Sequence, residues 1–125
     1  MRNSVMTAVV SILGLLLSAC GQSPKRGGYD STGGDPRRGA AVIAYYGCGS
    51  CHTIPEIAGA HGLVGPPLSG IKNRMSIAGM LPNQPSNVER WIQNPKAVNA
   101  RTLMPVLNVT QRDARDIAAF LYSSN

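Results

Sequence analysis

The sequence predicts an all-α fold: three or more short helices joined by long loops and wrapped around a large apolar object. Three observations predict it. Helix start and stop signals bracket three segments, no strand pattern of any length appears, and many of the 14 glycines and 9 prolines punctuate the stretches between. Loops this long usually need something to pack on. The chain has 125 residues, of which 5% are aromatic. Its core is therefore thin, and a small domain buries too little surface unaided.

The first helix should begin at Asp35-Pro36, since Asp is a good N-cap and Pro suits the first helical position. It runs through "RRGAAVIAYY" and stops at Gly47. Gly39, Ala40 and Ala44 are small enough to let another helix approach closely. Residues 53 to 85 hold Gly and Pro at short intervals and read as loops, with one helical turn around Ile71 to Met75. The second helix is signalled by "SNVERWIQNP". Ser86 with Glu89 fits a capping box, and Asn94-Pro95 ends the helix because the residue before Pro avoids the helical region. A third helix starts at Thr110, with Asp113 three residues on. Ala114, Ile117, Ala118 and Leu121 form its apolar stripe, widened by Phe120.

Ahead of the domain lies a targeting segment. Arg2 supplies the positive start, and Val5 to Leu17 is apolar but too short for a comfortable membrane span. It ends in Leu17-Ser18-Ala19-Cys20, which resembles a lipobox. Residues 1–19 then form a lipoprotein signal peptide. Residues 20–34 form a lipidated Cys20 and a polar, flexible linker, and residues 35–125 form the domain. The alternatives are an ordinary signal peptide with a chance cysteine, or an uncleaved anchor. A coil of about 14 residues spans roughly 20 Å, enough to let a domain swing above a membrane. Export implies an oxidising compartment, the periplasm. Gly21 after the acylated cysteine lacks the aspartate that often signals inner-membrane retention, which permits the outer membrane. The net charge of +6 favours acidic partners and anionic surfaces and says nothing about fold.

Cys20 aside, two cysteines remain, in "YYGCGSCHTIP" at residues 45–55. A thioredoxin-like dithiol needs strands and a βαβ context, and none is visible. Zinc could count Cys48, Cys51, His52 and His61 as ligands, but adjacent Cys51 and His52 cannot easily point at one tetrahedral ion. C-x-x-C-H is the signature of covalent haem attachment. Cys48 and Cys51 form thioethers to one haem c, and His52 is held where its imidazole reaches the iron. For the sixth position the candidates are Met104, Met80, Met75 and His61. Met104, in "NARTLMPVLN", is followed by a proline that stiffens the loop placing its sulfur. Met80, in "IAGMLPN", is otherwise an apolar plug, Met75 a core filler, and His61 a solvated or structural histidine.

With these motifs the chain resembles the class I c-type cytochromes over about residues 35 to 123. Three features carry the resemblance: "CGSCH", "GPPLSG", and "WIQNPKAVNARTLMP" before a C-terminal helix. The family arrangement of an NP nine residues ahead of a methionine supports Met104 over Met80. The resemblance implies that the Pro66 carbonyl accepts a hydrogen bond from His52, which fixes the ring and raises its basicity. It implies that Leu68 packs on the haem face, that Trp91 lies near the methionine side, and that Thr102 hydrogen-bonds a propionate. It also implies that Gly39, Ala40 or Ile43 meets Phe120 and Leu121 where the terminal helices cross. A Pro-Gly that often precedes the ligand methionine is absent, and Ala100-Arg101 stands there. "AGAHGLVGPPLSG" and "IAGMLPNQPSN" resemble cytochrome domains associated with haem-copper terminal oxidases.

The function these features imply is a membrane-tethered, monohaem electron carrier with His/Met ligation, exchanging electrons with an acidic redox partner or respiratory complex. Lys72, Arg74, Arg90, Lys96 and Arg101 fall in segments expected to frame the haem. They form either a ring that steers the partner, or merely solvated surface charges and counter-ions for the propionates. Neither nucleic acid nor a small-molecule substrate is expected. The alternative is a haem-containing subunit of a dehydrogenase or peroxidase, which would need an open iron position and a nearby acid/base.

Overall fold

The computed structural model describes residues 32–124. The signal segment, Cys20 and most of the linker lie outside the described residues. Four helices appear in the order α1 (Pro36–Tyr45), α2 (Pro85–Gln93), α3 (Pro95–Val98) and α4 (Gln111–Ser123). Between α1 and α2 lie two 3-10 turns, Cys48–Ser50 and Ile71–Asn73, and a two-residue antiparallel hairpin, β1 (Ser76–Ile77) with β2 (Leu81–Pro82). The all-α class expected from the sequence is the class observed. The hairpin is too short to show alternation, so no strand signal precedes it. Its turn uses Ala78 and Gly79, both with positive φ.

Local chemistry explains the helix starts. The Asp35 carboxylate accepts from the backbone N–H of Arg37 and Arg38, at 2.9 and 3.3 Å. Thr110 Oγ1 accepts from Asp113 N–H at 3.1 Å. These are the expected caps. The capping box at Ser86 does not form. Helix α2 starts two residues before a Ser86 cap would begin it, because Pro85, with its preset φ, takes the first helical position. Glu89 instead accepts from the Gln111 side-chain amide at 2.6 Å. The Asn94-Pro95 stop also starts something: the Asn94 side chain caps the single-turn α3 by accepting from Ala97 N–H at 3.1 Å.

Helix α4 organises the core. It packs on α1 more extensively than any other pair of elements and next on α2. All five stripe residues are buried, and so are Asp113, Asp116, Ala119 and Tyr122. At the α1 contact a Cβ on Gly39 would collide with the Asp116 backbone and stand 2.8 Å from Phe120 Cβ. Gly39 therefore permits the approach expected of it, and Ile43 fills the next turn. Ala44 faces solvent instead, since the buried face of α1 runs through positions 39 and 43. Arg38 at the first turn of α1 pairs with both Asp113 and Asp116. The chain before α1 also packs: Gly34 lies directly against the Arg115 carbonyl.

Candidate functional site

Loops from both halves of the chain converge on one cavity of about 470 Å³. Its first wall is the tether. Helix α1 ends at Tyr46, and Gly47, with φ +69°, turns the chain into the 3-10 turn. The N–H groups of Cys51 and His52 both donate to the Cys48 carbonyl, at 3.2 and 3.0 Å. This one turn brings both thiols and the His52 ring to the cavity wall. Both cysteines are free and half-buried. Burial pushes the Cys48 thiol up, away from the low values of reactive redox dithiols.

The second wall is the proline loop. His52 Nδ1 lies 2.7 Å from the Pro66 carbonyl oxygen. A carbonyl only accepts, so Nδ1 carries the proton and Nε2 keeps a free lone pair. The loop is stitched to the tether: Gly65 N–H donates to Cys51 at 2.7 Å and Leu68 N–H donates to Thr53 at 2.8 Å. A side chain at position 65 would run into the imidazole. The Arg74 guanidinium donates to the carbonyls of Pro67 and Ser69, so it holds this loop besides lining the cavity.

The third wall comes from α2 and the segment after α3. Trp91 lines it, with Thr102, Leu103 and Met104. Lys96 of α3 donates to the Thr102 carbonyl, and Thr102 Oγ1 accepts from Met104 N–H at 3.2 Å. These bonds stand where the rigid Pro-Gly would otherwise be. Behind the walls lie Ile77, Ile92, Ile117 and Leu121. No carboxylate lines the cavity, and His52 is the one histidine there among the described residues.

All eight residues named for the cofactor thus surround one space: Cys48, Cys51, His52, Pro66, Leu68, Trp91, Thr102 and Met104. The competitors lie elsewhere. His61 is exposed and paired with Thr53 in a backbone bridge. Met80 is 57% exposed and outside the lining, so it plugs nothing. Met75 is 93% exposed rather than a core filler, because Ile71 and Ile77 occupy that part of the core. Two residues escaped the sequence reading. Tyr46 does more than end the tether helix: it lines the cavity. Asn83 donates to the carbonyls of Ile71 and Arg74, each at 2.7 Å, and accepts from the Tyr122 hydroxyl at 2.5 Å. In sequence it reads only as a turn residue.

The donor set and the walls fit a covalent haem. Among the described residues no three of His, Cys, Asp and Glu come together to hold a bare metal ion. Leu103 and Val64 line the cavity yet are 85% and 69% exposed, apolar surface that a flat apolar group would cover. The model of the cytochrome c family matches residues 36–125. The chain belongs to the cytochrome c family. That membership brings a covalent haem on the C-x-x-C-H motif and electron transfer as its general role. A curated relative, cytochrome c oxidase subunit 2 of Alkalihalophilus pseudofirmus, is 29% identical over 87 residues. The match covers 69% of this chain but only 25% of that protein. No solved structure matches significantly.

Proposed function

We propose that this cytochrome is a lipid-tethered electron carrier on the periplasmic side of a bacterial membrane, with Cys20 lipidated and with His52 and Met104 as axial ligands. The observation that carries the ligand assignment is the shared cavity. Among the described residues Met104 is the one methionine lining the space that also holds Cys48, Cys51 and His52. When bound, the haem supplies a one-electron couple. The chain's own residues do the rest. Pro66 holds the His52 tautomer and strengthens its donation. Thr102 and Lys96 hold the Met104 backbone, and Leu68 with the isoleucines keeps water away. The largely apolar lining, which holds no carboxylate among the described residues, supports a carrier over a catalytic haem.

Delivery to a terminal oxidase, or service as a domain of one, is the partner reading. The likeness to an oxidase subunit supports it, as do the exposed Arg90 and Arg101, which suit an acidic docking face.

Replacing Met104 by Ala tests the ligand. The expected outcome is loss of the methionine-linked charge-transfer band, a lowered reduction potential and new uptake of carbon monoxide by the reduced protein. An unchanged band and potential would remove Met104 from the site. The mass of the mature N-terminus separately tests lipidation.

A further inference from the structure

Asp113 and Asp116 are 8% and 5% exposed, and the electron-carrier reading gives neither a role. Arg38 reaches between them: Nη2 donates to Asp113 Oδ1 and Nη1 to Asp116 Oδ2. The other oxygen of Asp113, Oδ2, accepts from the Tyr46 hydroxyl at 2.8 Å. Asp116 Oδ1 turns the other way and accepts from Asp35 N–H at 2.8 Å. The hydrogen bonds from Tyr46, then Arg38, hold the Asp113 carboxyl below its ordinary value, so it is ionised at neutral pH. Two carboxylates and one guanidinium leave the trio with a net charge of −1.

Tyr46 makes this cluster more than a helix clamp. Tyr46 lines the cavity and precedes Cys48 by two residues. Among the described residues the lining itself holds no carboxylate. Asp113 therefore places a buried negative charge one hydrogen bond behind the wall. One residue of α4 also ties both ends of α1, through Arg38 at its start and Tyr46 at its end.

We infer that Asp113 is a positioning residue for the redox centre: it fixes Tyr46 against the cavity and, within the Arg38–Asp113–Asp116 trio, sets the reduction potential by its charge. The inference rests on the electron-carrier reading. The oxidised centre carries one more positive charge than the reduced one, so a nearby net negative charge favours oxidation and lowers the potential.

The test is potentiometry of the haem-loaded protein at neutral pH and low salt. Asp113→Asn keeps the shape but makes the trio neutral, and its potential should rise. Arg38→Gln makes the trio −2, and its potential should fall. Asp116→Asn removes the same charge from a carboxylate whose hydrogen bonds go to Asp35 and Arg38, neither of which lines the cavity, and should raise the potential less. Asp113→Glu should return it toward the parent value. A purely structural clamp would admit water when broken, so Asp113→Asn and Arg38→Gln would shift the potential in the same direction. That result, or no shift in either, overturns the inference. Thermal melts show which variants fold, and Asp113→Glu keeps the comparison alive if Asp113→Asn does not. Failure of the carrier reading shows separately, as a parent protein without a reversible one-electron couple.

Discussion

The α1–α4 contact and the cavity wall are built to opposite rules. At the contact, protein meets protein at backbone distance: Gly39 admits the Asp116 carbonyl, and Arg38 satisfies two carboxylates. At the cavity, three loops stand around some 470 Å³ of space, and Leu103 and Val64 face outward. One half of the molecule is thus a core closed by its own side chains, and the other is an apolar wall shaped to pack on a large flat group.

The most severe way to test that difference is to deny the cavity its content. The double variant Cys48→Ala/Cys51→Ala cannot form the thioethers. Its loops should lose fixed packing, with near-UV circular dichroism flattened and no sharp calorimetric transition, while residual helix at α1 and α4 survives in the far-UV. A cooperative transition near the parent temperature would show that the cavity half stands alone. On the other side, Gly39→Val in the haem-loaded protein forces a side chain into the α4 backbone. Overpacking of this kind costs about 3 kcal/mol, read as a lower denaturant midpoint at unchanged slope.

The two halves also differ in how legible they were in sequence. The cavity was readable because covalent chemistry dictates spacing. Cys48, Cys51 and His52 must share a turn, a proline directly follows Met104, and each motif is local. The α1–α4 contact was readable only in its apolar part, the stripe from Ala114 to Leu121 opposite Gly39. Its polar half was not. Arg38 and Asp113 are 75 residues apart, and each looks like an ordinary solvated charge until the fold buries one against the other. Asn83 was hidden for the same reason, since its partners come from three separate segments. The Ser86 cap failed locally, because two start signals competed and the fixed φ of Pro85 won over a side-chain bond.

That unreadable polar half leads to the mildest of these effects, a pH dependence confined to the α1–α4 contact. Hydrogen bonds from Tyr46, Arg38 and Thr110 hold the Asp113 carboxyl below its ordinary value. Burial pushes Asp116 up, but the Asp35 N–H and Arg38 outweigh it and leave Asp116 low as well. A carboxylate whose folded value is depressed binds protons more readily when unfolded. It therefore stabilises the fold above the ordinary value of 3.8, and that stability drains away as pH falls through 3.8 toward the lower folded value. The parent protein should lose denaturant resistance on acidification from about pH 5. Asp113→Asn/Asp116→Asn should start lower at neutral pH and lose less across the same range. The slope of midpoint against pH is the quantity to compare. An equal slope in the two proteins would mean that acid acts elsewhere in the molecule and not through the pair of carboxylates on α4.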